Sequence, residues 1–216
     1  MPYGCEYMKV NEIFYSIQGE GVYMGIPMVF VRFTGCNLRC SWCDTKYAWE
    51  EGKEMKIDEI LAEIKKYKTN WVCITGGEPL LQEDIYKFID RLLNMGYKIL
   101  LETNGSITLE NLPCEDNLIV DMDIKTPSSG MSKFMDLSNL EILGPKDTVK
   151  FVIANQEDYA FFKEFIKNNE IKGEIILQPE GNKNLKWLVE KVLEDQLNVR
   201  VLPQLHKIVW GDKRGV

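Results

Sequence analysis

Cys36-Asn-Leu-Arg-Cys40-Ser-Trp-Cys43 sets three thiols in one short stretch with the spacing C-x3-C-x2-C. Thiolates so placed can face a single point and hold a [4Fe–4S] cubane with one iron left without a protein ligand. S-adenosylmethionine can chelate that open iron through its amino and carboxylate groups, and an electron from the cluster can break its sulfonium C–S bond. The competing chemistry is a structural zinc site. Zinc takes four closed ligands, commonly as two separated pairs. Here the fourth ligand would have to come from Cys5, Cys73, Cys114 or His206. Cys73 lies within the apolar run Trp71-Val-Cys-Ile-Thr75 and reads as a core thiol. The spacing therefore favours the cluster.

Other polar segments fall close to the ends of apolar runs. Thr75-Gly-Gly-Glu-Pro79 follows one such run; its glycines let backbone approach a ligand, and Glu78 with neighbouring backbone groups can grip an ammonium. The same segment also suits a plain strand-to-helix turn. Asp123-Ile124-Lys125 and Gln178-Pro179-Glu180-Gly181 occupy equivalent places further on. Arg32 lies near the end of the run Met28-Val-Phe-Val-Arg-Phe33, where burial demands a partner: an internal carboxylate or a bound anion. Gly19, Gly21 and Gly25 miss the G-x-G-x-x-G spacing by one residue and lack a strand–helix frame, which excludes a dinucleotide loop. Trp42, Trp49 and Trp71 read as packing residues, with Trp42 placed to shield a cluster from water.

The elements that must position these residues alternate. β-rich runs occur at Met28–Phe33, Trp71–Thr75, Lys98–Leu101, Leu118–Asp123, Val149–Ile153, Glu174–Leu177 and Val199–Leu202. Helical stripes lie between several of them: Ile57/Ile60/Leu61/Ile64/Tyr67, Ile85/Phe88/Ile89/Leu92/Leu93, Phe161/Phe162/Phe165/Ile166, and Leu185/Leu188/Val189/Val192/Leu193. Repeated β-α units imply a parallel sheet covered by helices, as a doubly wound sheet or an incomplete barrel. Both gather their chemistry at the C-terminal strand ends.

The 216 residues, 45% hydrophobic and 27% charged, suffice for one globular domain spanning 1–216, with the cluster loop at 34–46. A net charge of -7 excludes a broad basic surface for nucleic acid. No apolar run is long enough to span a membrane, and Met1–Val10 lacks the layout of a signal peptide, so the expected address is the cytoplasm. There, six cysteines read as ligands or core thiols rather than disulfides.

The cysteine loop, Phe14-Tyr-Ser-Ile-Gln-Gly-Glu-Gly21, Cys43-Asp-Thr45, Thr75-Gly-Gly-Glu-Pro79, Glu102-Thr-Asn-Gly105 and Gln204-Leu-His-Lys207 extend over nearly the whole chain. Together they resemble the 7-carboxy-7-deazaguanine synthase family of the radical S-adenosylmethionine superfamily. The resemblance implies an α/β single domain shaped as an incomplete TIM-like barrel of about six parallel strands, open at their C-terminal ends. It implies a lyase that converts 6-carboxy-5,6,7,8-tetrahydropterin to 7-carboxy-7-deazaguanine with ring contraction and loss of ammonia, toward queuosine or archaeosine. A [4Fe–4S] cluster, S-adenosylmethionine and Mg2+ come with it, as do a flavodoxin or ferredoxin as reductant and a homodimer.

By the same resemblance, Cys36, Cys40 and Cys43 hold the cluster and Thr45 helps bind Mg2+. Gly77, Glu78, Asp123, Ile124, Lys125, Gln178, Pro179, Glu180 and Gly181 contact S-adenosylmethionine. Ile17, Gln18, Gly19, Arg32, Thr75 and His206 contact substrate: Gln18 offers a donor and an acceptor to a pterin edge, and Arg32 can grip a carboxylate. No side chain is expected to act as a catalyst itself. The family often reads Ser-Pro-Lys where this chain has Asp123-Ile124-Lys125, and the tail past Trp210 is longer than in some members. Two other readings share the cysteine loop: a glycyl-radical-enzyme activase and a non-enzymatic metal-binding module.

Overall fold

The computed structural model describes residues 7–216; Cys5 lies outside them. The element order is β1 (Tyr7–Ile17), β2 (Pro27–Phe33), β3 (Lys53–Lys56), α1 (Ile57–Ile64), β4 (Trp71–Gly76), α2 (Ile85–Asn94), β5 (Lys98–Thr103), β6 (Leu118–Ile124), α3 (Asn139–Ile142), β7 (Thr148–Ile153), α4 (Gln156–Asn168), β8 (Glu174–Pro179), α5 (Leu185–Glu194), β9 (Arg200–Val201) and α6 (Leu205–Trp210). One sheet runs β3-β1-β2-β4-β5-β6-β7-β8-β9. From β2 through β9 every pairing is parallel. β1 pairs antiparallel with β2 and with β3. Among the described residues the two edges do not meet, so the barrel is incomplete.

All seven expected strands form. Six are full-length, and the seventh, β9, has only two residues. β1 and β3 were not expected. β1 fully buries only Met8 and Val10 on the helix side, with Ile13 half-buried against the same core, while β3 is mostly exposed. Strands that bury so little carry a weak alternation signal. The four helical stripes become α1, α2, α4 and α5, each with apolar residues on the sheet. Tyr67 and Leu93 are half-buried against the same core. α3 and α6 are too short to announce themselves by period.

Alternation along the strands sorts residues between two faces. The outer face packs under the helices: Val29, Val31 and Phe33 of β2, Val72 and Ile74 of β4, Leu118, Val120 and Met122 of β6, Val149 and Phe151 of β7. The inner face changes character from one end to the other. At the N-terminal ends it is apolar, with Met28, Phe30, Cys73, Leu100 and Ile119 in one small cluster. One step further toward the C-terminal ends the same face turns polar: Arg32, Thr75, Glu102, Asp121, Lys150 and Gln178 all line a cleft. The apolar plug closes one end of the barrel and leaves the other to ligands.

Candidate active site

The loop after β2 carries Cys36, Cys40 and Cys43, and all three line this cleft. Around Cys40 the loop is tethered by contacts that do not use that residue's thiol. Ser41 donates through its amide to Ser129 O at 3.1 Å and through its hydroxyl to Ser128 O at 2.6 Å. The Trp42 indole N–H donates to Ser128 Oγ at 3.1 Å, and its ring packs 5.3 Å from Lys125 Nζ. Trp42 thus forms part of the cleft wall. Trp49 lies under Arg39, and Trp71 packs against Tyr23.

Burial pushes the Cys40 thiol up to about 11, against the pull of Lys125, and raises the Cys36 thiol as well. Such thiols ionise when a metal takes them, not in its absence. Among the described residues no three Cys, His, Asp or Glu side chains converge tightly enough for a single ion. A cubane does not need that convergence, because each thiolate takes its own iron.

Gly77 explains the Gly-Gly pair. A Cβ there would strike the Gly35 carbonyl and come within 2.9 Å of Cys36 Cβ. The amides at this turn are spent on the end of β2 and the start of the cluster loop: Gly77 N–H donates to Phe33 O at 3.1 Å and Glu78 N–H to Gly35 O at 2.7 Å. Gly77→Ala therefore displaces backbone that cannot yield cheaply, and costs about 1–3 kcal/mol. Urea unfolding of the cofactor-free protein reads this loss, and iron content after reconstitution falls with it.

Glu78 differs from the expectation. Its side chain is fully buried and does not line the cleft. Oε1 accepts from Leu80 N at 3.0 Å and Thr103 Oγ1 at 2.9 Å, and Oε2 from Asn104 N at 2.7 Å. Buried away from the cleft, its carboxylate is not placed to meet a ligand's ammonium; it ties the Gly-Gly turn to the end of β5. Ile124 is likewise core, on the helix side of β6, and Pro179 is buried without lining the cleft.

The other expected residues do converge: Ile17, Gln18, Gly19, Arg32, Thr45, Thr75, Gly77, Asp123, Lys125, Gln178, Glu180, Gly181 and His206 all line the cleft. The Gln18 amide donates to Glu102 Oε1 at 3.0 Å. Arg32 spends Nε on Glu12 Oε1 at 2.8 Å, so the internal ion pair exists, yet its side chain still faces the cleft. Thr45 does not cap the turn after the cluster loop with its hydroxyl, which lies 3.7 Å from Cys43 Sγ. Lys125 pairs with Asp123 at 2.9 Å. α6 docks on Gly19, whose carbonyl accepts from Leu205 N at 2.8 Å; a Cβ on Gly19 would strike His206 Nδ1. The tail from Gly211 to Val216 also lines the cleft, with the Arg214 guanidinium 3.5 Å from the Tyr47 ring centroid. Of the cysteines proposed as a fourth zinc ligand, Cys73 is fully buried in the plug and Cys114 is exposed, neither lining the cleft.

Several cleft residues had no role assigned from sequence: Glu20, Glu102, Asp121, Lys150 and Gln204. Glu20 bonds Lys150 Nζ and Gln204 Nε2, each at 2.8 Å. Burial works against the Glu20 charge, but Lys150, His206 and Gln204 outweigh it and hold its carboxyl well below the usual range. Charged residues at inner positions of otherwise apolar strands, Asp121 in Leu-Ile-Val-Asp and Lys150 in Thr-Val-Lys-Phe, were the signal available.

The site has the chemistry of a ligand cradle. Buried side-chain atoms without a hydrogen-bond partner among the described residues are Asp121 Oδ1, Asp123 Oδ1, Gln178 Oε1, Gln204 Oε1 and Ser16 Oγ. The first four belong to residues lining this one cleft. Unpaired buried acceptors are costly unless a ligand supplies donors, and S-adenosylmethionine carries ammonium and hydroxyl donors. The residues present fit both the cluster and its cosubstrate.

A family model for the Radical SAM superfamily matches residues 30–167. A 7-carboxy-7-deazaguanine synthase of Thermoplasma acidophilum is 43% identical over 97% of this chain and 100% of its own length. The one from Koribacter versatilis is 41% identical over 94% of this chain and 97% of its own. The chain belongs to the 7-carboxy-7-deazaguanine synthase family of the radical SAM superfamily. The crystal structure of QueE from Escherichia coli superposes with a TM-score of 0.77 at 26% identity, covering 93% of this chain and 95% of that one. Members of the superfamily hold a [4Fe–4S] cluster and S-adenosylmethionine, and this chain is an enzyme of that kind. The fold is the partial barrel of that family. No helix among the described residues is long and apolar enough to cross a membrane.

Proposed function

We propose that this enzyme converts 6-carboxy-5,6,7,8-tetrahydropterin to 7-carboxy-7-deazaguanine, with ring contraction and release of ammonia, as its family does. The observation that carries the reading is the meeting in one cleft of the three-thiol loop, the orphaned acceptors, the Arg32 guanidinium and the Gln18 carboxamide. When bound, the cluster and S-adenosylmethionine would supply the radical chemistry that the pterin rearrangement needs. Cys36, Cys40 and Cys43 hold the cluster. Asp123, Lys125, Gln178, Glu180, Gly181 and the Gly77 backbone embrace S-adenosylmethionine, with Glu78 positioning that backbone from below. Gln18, the Ile17 and Gly19 backbone, Thr75 and His206 orient the pterin, and Arg32 meets its carboxylate. Trp42 and the tail keep water away.

Thr45 would offer its hydroxyl to Mg2+, which would supply Lewis-acid chemistry at the substrate carboxylate. Thr45→Ala is expected to lower Mg2+ stimulation of turnover about 10-fold or more, by analogy with lost metal-shell contacts, while S-adenosylmethionine cleavage continues. Full Mg2+ stimulation in the variant refutes the assignment. We place the enzyme in the cytoplasm as a single domain over 1–216, a homodimer reduced by a flavodoxin- or ferredoxin-like protein.

The deciding experiment is anaerobic reconstitution followed by incubation with the pterin, S-adenosylmethionine, Mg2+ and a reductant, with mass analysis of the product. Formation of 7-carboxy-7-deazaguanine is expected. A reconstituted, reduced protein that leaves the pterin intact rejects the reading in favour of an activase, and a colourless protein with one tight zinc favours a binding module.

A further inference from the structure

The inner face of β6 presents Ile119, Asp121 and Asp123 in succession from plug to mouth. Asp123 has its counter-ion in Lys125. Asp121 has none. Its residue is 3% exposed, Oδ1 is buried without a partner, and no hydrogen bond or ion pair to its carboxyl forms among the described residues. Oδ2 lies against the turn at Gly21, 3.1 Å from where a Cβ would stand. A carboxyl left this way in a ligand cleft is an unusual expense for a fold to bear.

Its surroundings explain how it is tolerated. Glu102 sits beside it in register on β5. Glu20 faces it from the loop after β1, Asp123 from its own strand and Lys150 from β7. Four carboxyls thus share Lys150 and Lys125, and Lys150 is already committed to Glu20 at 2.8 Å. One carboxyl of the group is best kept neutral. Burial pushes Asp121 up to about 7, opposed by Lys150 and reinforced by Glu102, Glu20 and Asp123. A carboxyl raised this far is a cost to the fold: the penalty is absent below the ordinary value of 3.8, grows as pH rises toward 7 and persists above it.

We propose that Asp121 is a catalytic residue of the reaction, the acid that protonates the departing amine. The assignment rests on the function proposed above, which loses ammonia. An amine leaves poorly as an amide anion and needs a proton as its C–N bond breaks. Asp121 donates that proton; the C–N electron pair stays on nitrogen, and ammonia departs. A proton leaves the neighbouring ring carbon, its C–H pair forms the new double bond, and the Asp121 carboxylate takes the proton up. The step breaks one C–N and one C–H bond, forms one N–H bond and one double bond, and restores the acid. No oxidant or reductant enters.

Asp121→Asn preserves shape and removes the proton; Asp121→Glu keeps a carboxyl. In single-turnover reactions of the reconstituted enzyme, D121N is expected to consume the pterin at close to the wild-type rate. Ammonia release should fall by about 10²- to 10⁴-fold, with build-up of a ring-contracted species that still holds the amine nitrogen. D121E should recover part of the release. The wild-type rate of ammonia release should decline as pH rises past about 7, and this limb should vanish in D121N. Carbon-13 NMR of aspartate-labelled, cofactor-free protein supplies a readout independent of activity: one carboxyl titrating near 7 and missing from D121N. Wild-type ammonia release in D121N overturns the proposal, as does a parallel fall of consumption and release in both variants, or an Asp121 carboxyl titrating in the ordinary range. A wild-type enzyme inert toward the pterin overturns the parent reading and this assignment with it. Turnover by the wild type beside an indifferent D121N overturns this assignment alone.

Discussion

Cys40→Ala leaves a folded protein that holds no cluster. Iron and sulfide after anaerobic reconstitution fall to background, the iron–sulfur chromophore is absent and S-adenosylmethionine is not cleaved. The expectation comes from how the loop is built. Its backbone is secured by Ser41 and Trp42 to Ser128 and Ser129, contacts that owe nothing to the thiol. Cys40 is buried at the wall of the cleft, and truncation to Ala removes a single sulfur atom. Circular dichroism should stay native, with a stability change near 1 kcal/mol. A cubane with only two thiolate corners has no third anchor. Cys73→Ala is the contrasting case: it opens a small cavity in the plug, costs about 1 kcal/mol, and retains the cluster. A Cys40→Ala protein with full iron content would contradict the ligand assignment.

Glu78→Ala is expected to lower stability by about 3 kcal/mol, from two orphaned buried amides at roughly 1–3 kcal/mol each. For a chain of this size that is a Tm lower by about 6–12 °C. The donors concerned are Leu80 N–H and Asn104 N–H, with the Thr103 hydroxyl free to turn elsewhere. The effect reaches the cluster through Asn104. Its Nδ2 lies 3.8 Å from Cys36 Sγ and 3.1 Å from Asn37 Oδ1, so freeing the Asn104 backbone loosens a wall of the cluster loop. Cluster retention during gel filtration should drop along with Tm. Glu78→Gln keeps one carbonyl acceptor and should recover part of the loss. A direct ligand of S-adenosylmethionine would behave otherwise, with the cofactor-free protein as stable as wild type and only affinity reduced. Differential scanning calorimetry of that protein separates the two.

Asp121 and Glu78 mark opposite ends of one problem. Both are buried acids, and burial raises both. Glu78 is compensated by three hydrogen bonds and serves the scaffold. Asp121 has none and faces the cleft, which is why we read it as chemistry rather than architecture.

The chain's order of residues settled what depends on spacing and period. C-x3-C-x2-C within one loop specifies how many thiols reach a common point wherever the loop sits. The near-continuous apolar runs in Met28–Phe33 and Leu118–Asp123 specify strands because both faces are buried, and the stripe from Ile57 to Ile64 specifies a helix because its burial is one-sided and strong. β1 and β3 escaped because they bury little, and α6 because six residues do not establish a period. Folding alone decided which end of each strand faced a neighbour, and so which polar residues met. Glu78 reads as a ligand in Thr75-Gly-Gly-Glu-Pro79 until the Asn104 amide, 26 residues away, is seen to claim its carboxylate. Lys150 reads as a lone charge until it meets Glu20, 130 residues away. Hydrogen bonds and ion pairs act over a few ångströms of space, and linear order does not carry that distance.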